Sequence, residues 1–301
     1  MPAIDPEALS MQGLTVESQD SALGRWTVAR WTPSADSPLH GTVERIWYFD
    51  GRLTHERERV FPDGTAELIV MLDERHRDGG DPALAAFPAV CINGCRTQPS
   101  VVVSPRGRCR VLGIRFAPAG ACSLLRSNMK QLVDVTIDVR DVIGRASDEL
   151  GERCATAAQI SPLSERRNAA SVVFAAVNWL LPLARVDRDA LVQWTSAKIR
   201  EARGTVSLDR LGARLGVSRN EFARRFRDHT GLTPKRFARI VRFHNALSLL
   251  HRSEKIAAVA AELAYYDQAH MYRDFAEFAR LTPGEFLSAT RYPESPSLAE
   301  P

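Results

Sequence analysis

The sequence predicts an α+β protein: a β-barrel-like or jelly-roll-like N-terminal domain with appended helices, then a C-terminal all-α domain of two helix-turn-helix units joined by a linker helix. Three features point that way. Short apolar runs alternate with turn formers as far as Phe116, helical periodicity takes over after Pro118, and the last third of the chain repeats itself. A length of 301 residues suits about two domains. With 45% apolar and 25% charged residues the composition is ordinary for globular domains and excludes collagen-like or disordered chains.

The β-rich region is expected from about Ala22 to Phe116. Its apolar runs are Ile46 to Phe49, Leu68 to Leu72, Val101 to Val103 and Val111 to Phe116, each short enough for a strand. Pro62-Asp63-Gly64, Asp78-Gly79-Gly80, Asn93-Gly94 and Pro105-Arg106-Gly107 supply the turns, where Gly and Asn tolerate positive φ and Pro presets the first turn residue. Asp63 reads as an Asx-turn residue, and the face of Glu67 on the following strand is left open.

Helices are expected over Ala119 to Leu125, Asp138 to Cys154 and Ser164 to Leu181, the last capped by Ser164 and ended by Pro182. That last helix carries an apolar stripe of Val172, Val173, Ala176, Val177 and Leu180. Such a stripe must be buried, either on the β-domain or in a dimer seam. Leu183 to Asp189 reads as a linker. The resulting division is 1–160 for the β-rich domain, 161–188 for connecting helix and linker, 189–292 for the helical domain and 293–301 for a disordered tail.

Charge separates the two halves. Between Ala190 and Thr290 there are seventeen basic and ten acidic residues, a surplus of seven, against +4 for the whole chain. A basic module behind a slightly acidic one is the electrostatic footprint of phosphate binding, and a solvated basic surface has the same signature.

The repeat narrows the reading. Phe226 to Phe237 (FRDHTGLTPKRF) recurs as Phe275 to Phe286 (FAEFARLTPGEF) at an offset of 49. Upstream, Ser218, Phe222 and Arg224 map onto Asp267, Met271 and Arg273 at that offset, whereas Leu208, Leu211, Leu215 and Gly216 map onto Ile256, Val259, Leu263 and Ala264 at 48. One residue is therefore inserted at the second turn. Each unit predicts a short helix, a tight turn and a second helix opening at Ser218 or Asp267. Gly216 supplies a left-handed turn, and Gly212 and Ala260 let the helices cross closely. Phe222, Phe226, Met271 and Phe275 fall on the core side. Pro234 to Leu250 forms the linker helix after Thr233-Pro234. Its ~25 Å span would hold two units against successive turns of a DNA groove, ~34 Å apart.

These residues resemble the DNA-binding domain of the AraC/XylS family of bacterial transcription regulators, over about Asp189 to Tyr292. The resemblance rests on "SLDRLGARLGVSRNEFARRFRDHTGLTPKRF", on "IAAVAAELAYYDQAHMYRDFAEFARLTPGEF" and on their spacing. It implies that the second helix of each unit enters the major groove. The first would present Arg219, Asn220, Ala223, Arg224 and Arg227, and the second Gln268, Ala269, His270, Tyr272 and Arg273. Arg224 and Arg273 have the chemistry for guanine O6 and N7, Asn220 and Gln268 for adenine, and Arg227 for a phosphate. Ala264 departs from the glycine usual at its turn, and Arg280 from the glycine matched by Gly231. The N-terminal half is similar to sensor-type domains found ahead of this module in one branch of the family, through "FPDGTAELIVML", "RTQPSVVVSPRG" and "GIRFAPAG". The expected partners are double-stranded promoter DNA and RNA polymerase, with a small-molecule effector and a second copy of the chain as further candidates.

Rival chemistry has thinner support. His40, His55 and His76 lack metal-ligand spacing, so no metal and no cofactor are expected. Cys91 and Cys95 start a zinc-thiolate pattern that Cys109 and Cys122, thirteen apart, do not complete. Five cysteines in a chain that needs no staples suggest reduced thiols and a cytoplasmic protein. No secretory signal or membrane span is visible. No Gly-rich phosphate loop, GxSxG or HExxH stretch occurs, so an enzyme is not expected. A cysteine-based stress sensor and an enzyme domain fused to a DNA-binding module are the alternatives.

Overall fold

The computed structural model describes residues 13–80, 86–159, 165–184, 189–252, 255–290, 292 and 297–300. The N-terminal domain is built on two antiparallel sheets. The larger comprises β1 (Leu14–Ser21), β2 (Gly24–Trp31), β3 (Val43–Leu53), β5 (Glu67–Met71), β7 (Val90–Asn93), β9 (Arg108–Phe116) and β10 (Thr136–Asp138), in the order β1-β2-β3-β9-β5-β7-β10. The smaller runs β11-β4-β8-β6, from β4 (Arg57–Val60), β6 (Arg77–Asp78), β8 (Ser100–Val103) and β11 (Leu298–Glu300). Strands at the expected apolar runs are present. β1 and β4 lie where the sequence shows no apolar run, because both are polar strands with a wet face.

Period-two alternation gives the larger sheet two working faces. Ala29, Trp31, Ile46, Tyr48, Leu68, Val70, Ile92, Leu112, Ile114 and Phe116 point into the main core. Helix α4 (Glu165–Leu180) packs on this face against β1, β2 and β3, with α3 (Ala146–Gln159) beside it. Its buried stripe is Ala169, Val172, Val173, Ala176, Trp179 and Leu180, so the stripe covers the sheet. The expected Ser164 cap lies outside the described residues. Arg45, Trp47, Phe49, Glu67, Ile69, Met71, Val111 and Arg115 line a cavity on the opposite face, toward the smaller sheet.

Three boundaries differ from expectation. Asp138 to Cys154 is not one helix: β10 ends at Asp138, and α2 (Arg140–Ile143) is cut from α3 by Gly144 at φ +62°. The tail read as disordered contributes β11, whose Leu298, Ala299 and Glu300 pair with Arg59, Glu58 and Arg57. The unpaired edge of β4 outweighs the polar composition of the tail. Residues 293–296 and 301 lie outside the described residues, as do 185–188 of the expected linker. Asp189, its last residue, instead caps a helix, its Oδ1 accepting the Leu191 and Val192 N–H groups at 3.0 and 3.2 Å.

The C-terminal domain follows α1 (Gly120–Leu125) and the domain's other helices as α5 (Ala190–Glu201), α6 (Leu208–Leu215), α7 (Arg219–Thr230), α8 (Pro234–His251), α9 (Ile256–Glu262), α10 (Gln268–Phe278) and α11 (Pro283–Ser288). The repeated Leu-Thr-Pro explains two of these starts. Thr233 and Thr282 accept the Arg236 and Glu285 N–H groups, each at 3.2 Å, and Glu285 returns a bond to the Thr282 N–H at 2.6 Å. Helix α8 is 18 residues long, about 27 Å, and buries Phe237, Ile240, Phe243, Ala246, Leu247 and Leu250.

Candidate nucleic-acid interface

The two putting-in-place steps for each second helix are a left-handed turn and a side-chain cap. Gly216 sits at φ +66° and Ala264 at φ +48°, so the alanine holds the glycine conformation at a cost of about 1 kcal/mol. Ser218 Oγ then accepts the Glu221 N–H at 3.2 Å, and Asp267 Oδ1 the His270 N–H at 2.6 Å. The inserted residue gives the second turn two tyrosines. Tyr265 is buried with the Arg242 guanidinium 4.2 Å from its ring centre, while Tyr266 is 92% exposed. Gly212 has no close-packing role, since a Cβ there would meet Phe222 at an ordinary 3.9 Å.

Each second helix is anchored by the expected core side. Phe222, Phe226, Met271 and Phe275 are buried, with Phe226 5.4 Å from Phe237 and Phe275 5.1 Å from Phe243 between ring centres. Arg219, Asn220, Ala223, Arg224 and Arg227 follow one another at helical spacing along the opposite edge of α7. They are exposed or half-buried. Gln268, Ala269, Tyr272 and Arg273 make the matching edge on α10 and are exposed. His270 is set apart from them: it is half-buried, its Nε2 3.3 Å from Arg242 and its ring 5.4 Å from Tyr265.

The arginines on these edges are lightly held. Arg219 pairs with Asp209 at 3.0 Å, and Arg224 with Glu221 at 2.8 Å and Asp228 at 3.3 Å. Exposed pairs of this kind are screened by solvent and weak, so a phosphate or base edge displaces them easily. Arg273 forms no ion pair among the described residues.

Sequence reading did not find the groups that hold the helices at their angles. Asp274 on α10 is fully buried, and its carboxylate accepts from Arg239 at 2.6 Å and Arg242 at 3.3 Å, both on α8. Asp189, at the start of α5, takes a forked pair of bonds from Arg225 on α7 at 2.8 and 2.9 Å. The N-terminal domain also grips the module. Phe61 stands 6.2 Å from both Phe243 and Phe286, Arg200 pairs with Glu44 at 2.5 Å, and Arg280 donates to Gln98 at 2.8 Å. Gly231, at φ +83°, closes α7 where a Cβ would lie 2.7 Å from Val133 and 2.9 Å from the Met129 carbonyl. Asp228 joins the two sides, accepting from Asn128 at 3.2 Å and from Arg224. Arg280 takes the left-handed conformation of Gly231 at φ +57°, its side chain reaching the N-terminal domain.

All five thiols are free, and burial pushes Cys91, Cys109 and Cys154 up to about 12 and raises Cys95 and Cys122. The thiolate is thus disfavoured at each of them. Asp63 makes the expected Asx turn, with Oδ1 accepting from Thr65 N and Oγ1 at 2.9 and 2.7 Å, and also pairs with Arg115. His76 lies 3.5 Å from the Cys109 sulfur, and burial lowers its pKa from 6.5 to about 4. The unfolded chain therefore binds a proton there before the folded one does. Stability is expected to fall as pH drops from about 6.5 to about 4. Denaturant midpoints measured across that window should fall less steeply for His76→Gln, and equal slopes would show that His76 is not buried neutral.

Among the described residues no helix is long and apolar enough to cross a membrane. Residues 211–289 match a family described as a helix-turn-helix domain, and residues 31–138 match a domain of unknown function, DUF6597. An uncharacterized HTH-type transcriptional regulator of Haemophilus influenzae is 32% identical over 80 residues, covering 26% of this chain and 27% of that protein. The match thus spans about a quarter of either protein. ToxT from Vibrio cholerae aligns over 81% of this chain and 98% of its own, with 11% identity and a TM-score of 0.44. A ToxT structure with an unsaturated fatty acid bound aligns over 80% and 93%, with 12% identity and a TM-score of 0.43.

Proposed function

We propose, from the helix-turn-helix domain over residues 211–289, that this chain is a sequence-specific DNA-binding transcriptional regulator of the AraC type, in the cytoplasm. Each chain reads two adjacent major-groove segments, and the N-terminal domain modulates the reading. One observation carries the proposal. The fold repeats a helix whose inner side is locked in a phenylalanine core and whose outer edge offers arginine and amide side chains with little to hold them back. Arginine forks and side-chain amides are the groups that distinguish base pairs in the major groove. Modulation is supported by the docking of both units on the N-terminal domain, above all by Asp228, which touches Asn128 and Arg224 together. RNA polymerase is the expected protein partner.

Arg273→Ala is expected to weaken binding to a native upstream site by ~1–3 kcal/mol and to relax one base position. Affinity of the unaltered chain should also fall steeply with salt, as basic side chains release counterions from the phosphates. Fluorescence anisotropy against promoter fragments and random duplexes reads both effects. Equal affinity for every duplex would refute sequence reading. An equal loss on all sequences for Arg273→Ala would make that residue a phosphate contact.

A further inference from the structure

The cavity between the two sheets measures about 430 Å³, within the range of small-molecule sites. Its floor is the second face of the larger sheet, and strand register sorts that floor into rungs. One rung is charged or polar: Arg45 stands opposite Arg115, which stands opposite Glu67, which stands opposite Asn93. The next is Trp47, Gly113 and Ile69, and the one beyond is Phe49, Val111 and Met71. The floor therefore grades from a polar end to an apolar, aromatic one.

Trp47 fixes the shape of that gradient. A Cβ at Gly113 would fall 2.2 Å from the indole, so the ring lies flat across the strand, and its Nε1–H donates to Glu67 at 2.5 Å. The carboxylates of the lining are already engaged. Glu67 receives Trp47, Asp63 holds Arg115, Glu58 bonds Ser297, and Asp78 accepts the Gly80 N–H at 2.8 Å. The guanidiniums are held unevenly: Arg115 pairs with Asp63 and lies 3.9 Å from Glu67, Arg30 pairs with Glu17, and Arg45 stands outside these pairs. Arg45 has no ion pair among the described residues, and its Nε and that of Arg115 are buried without a hydrogen-bond partner. Like charges facing each other across a strand pair are destabilising, and burial, followed by the Arg115 charge, lowers the Arg45 pKa. An oxyanion between the two guanidiniums would relieve the repulsion and use the orphaned N–H groups, in the forked geometry arginine favours.

We infer that this cavity binds an anionic amphiphile, a monocarboxylate whose head lies between Arg45 and Arg115 and whose aryl or alkyl body lies over Trp47 and Ile69 toward Phe49. The inference deepens the reading of the N-terminal domain as the modulating half and rests on it. Tyr292 and Ser297, which follow the second DNA-reading unit, form part of the cavity wall. An occupant therefore presses on the segment that leads away from α11.

The test is calorimetry on the full chain with three probes of one shape: 4-phenylbutyrate, 4-phenylbutanol and 4-phenylbutylamine. The carboxylate should bind at least tenfold more tightly than the alcohol, and the amine least. Arg45→Gln should weaken the carboxylate at least tenfold and leave the alcohol unchanged, with Arg45→Lys between. Amine binding equal to that of the carboxylate would overturn the inference and make the site a cation site. So would an unchanged carboxylate affinity in Arg45→Gln, or no carboxylate binding at millimolar concentration. Should Arg45→Gln not fold, Arg45→Lys and the three-probe series on the unaltered chain decide the matter. The promoter titration needs no probe, so failure of the cavity inference leaves the DNA-binding proposal standing.

Discussion

Phe243→Ala is expected to lower the stability of the C-terminal domain by ~3–5 kcal/mol, the range for deleting a fully buried aromatic ring. Its ring is wholly inside, 5.1 Å from Phe275 and 5.4 Å from Phe278 in the second unit and 6.2 Å from Phe61 in the N-terminal domain. Because α8 carries it, truncation leaves a void where linker helix, second unit and β-domain meet. Denaturant unfolding measures the loss. Tyr266→Ala is the control, since its ring is in water and surface changes stay within about 0.5 kcal/mol. A Phe243→Ala chain as stable as that control would show that the ring packs nothing.

The second large effect is expected from Asp274→Ala, at ~3 kcal/mol. Its carboxylate is the shared acceptor of Arg239 and Arg242, and removing it leaves the largely buried Arg242 without its ion-pair partner while Arg239 keeps only Glu277. Adding Arg242→Met should recover part of the loss, because the stranded charge goes with it. Asp274→Asn keeps the shape and loses the charge, so it should fall between. A further consequence separates this residue from ordinary core. Asp274 sets α10 against α8, so Asp274→Asn should weaken promoter binding more than it weakens folding, and a parallel decline in both would contradict the positioning role.

The helical domain was legible in the sequence because its signals are local. Caps at Ser218 and Asp267, the Thr-Pro starts and the phenylalanine spacing all act within one or two turns of helix. Even the strained Ala264 and Arg280 were flagged by the glycines of the other copy. What stayed hidden depends on distant partners. Asp274 reads in sequence as one acid among ten, and only packing against α8 shows it as a buried acceptor. β4 has four residues, three of them charged, and becomes a strand through β8 and β11. His270 belongs to the reading set that the resemblance implies, and its contacts with Tyr265 and Arg242 come from outside its own helix. The cavity was invisible for the same reason, since its rungs are cross-strand pairs far apart in sequence.

The last strand has a bearing on how the chain matures. Residues 14 to 180 leave the ribosome first, and domains generally fold in order of synthesis, yet the smaller sheet takes up its outermost strand from residues 298–300. The earliest domain is thus the last to be finished, and until β11 emerges β4 offers a bare rim of N–H and C=O groups to any passing chain. Nascent protein should be most prone to aggregate in the interval between completion of β9 and arrival of β11.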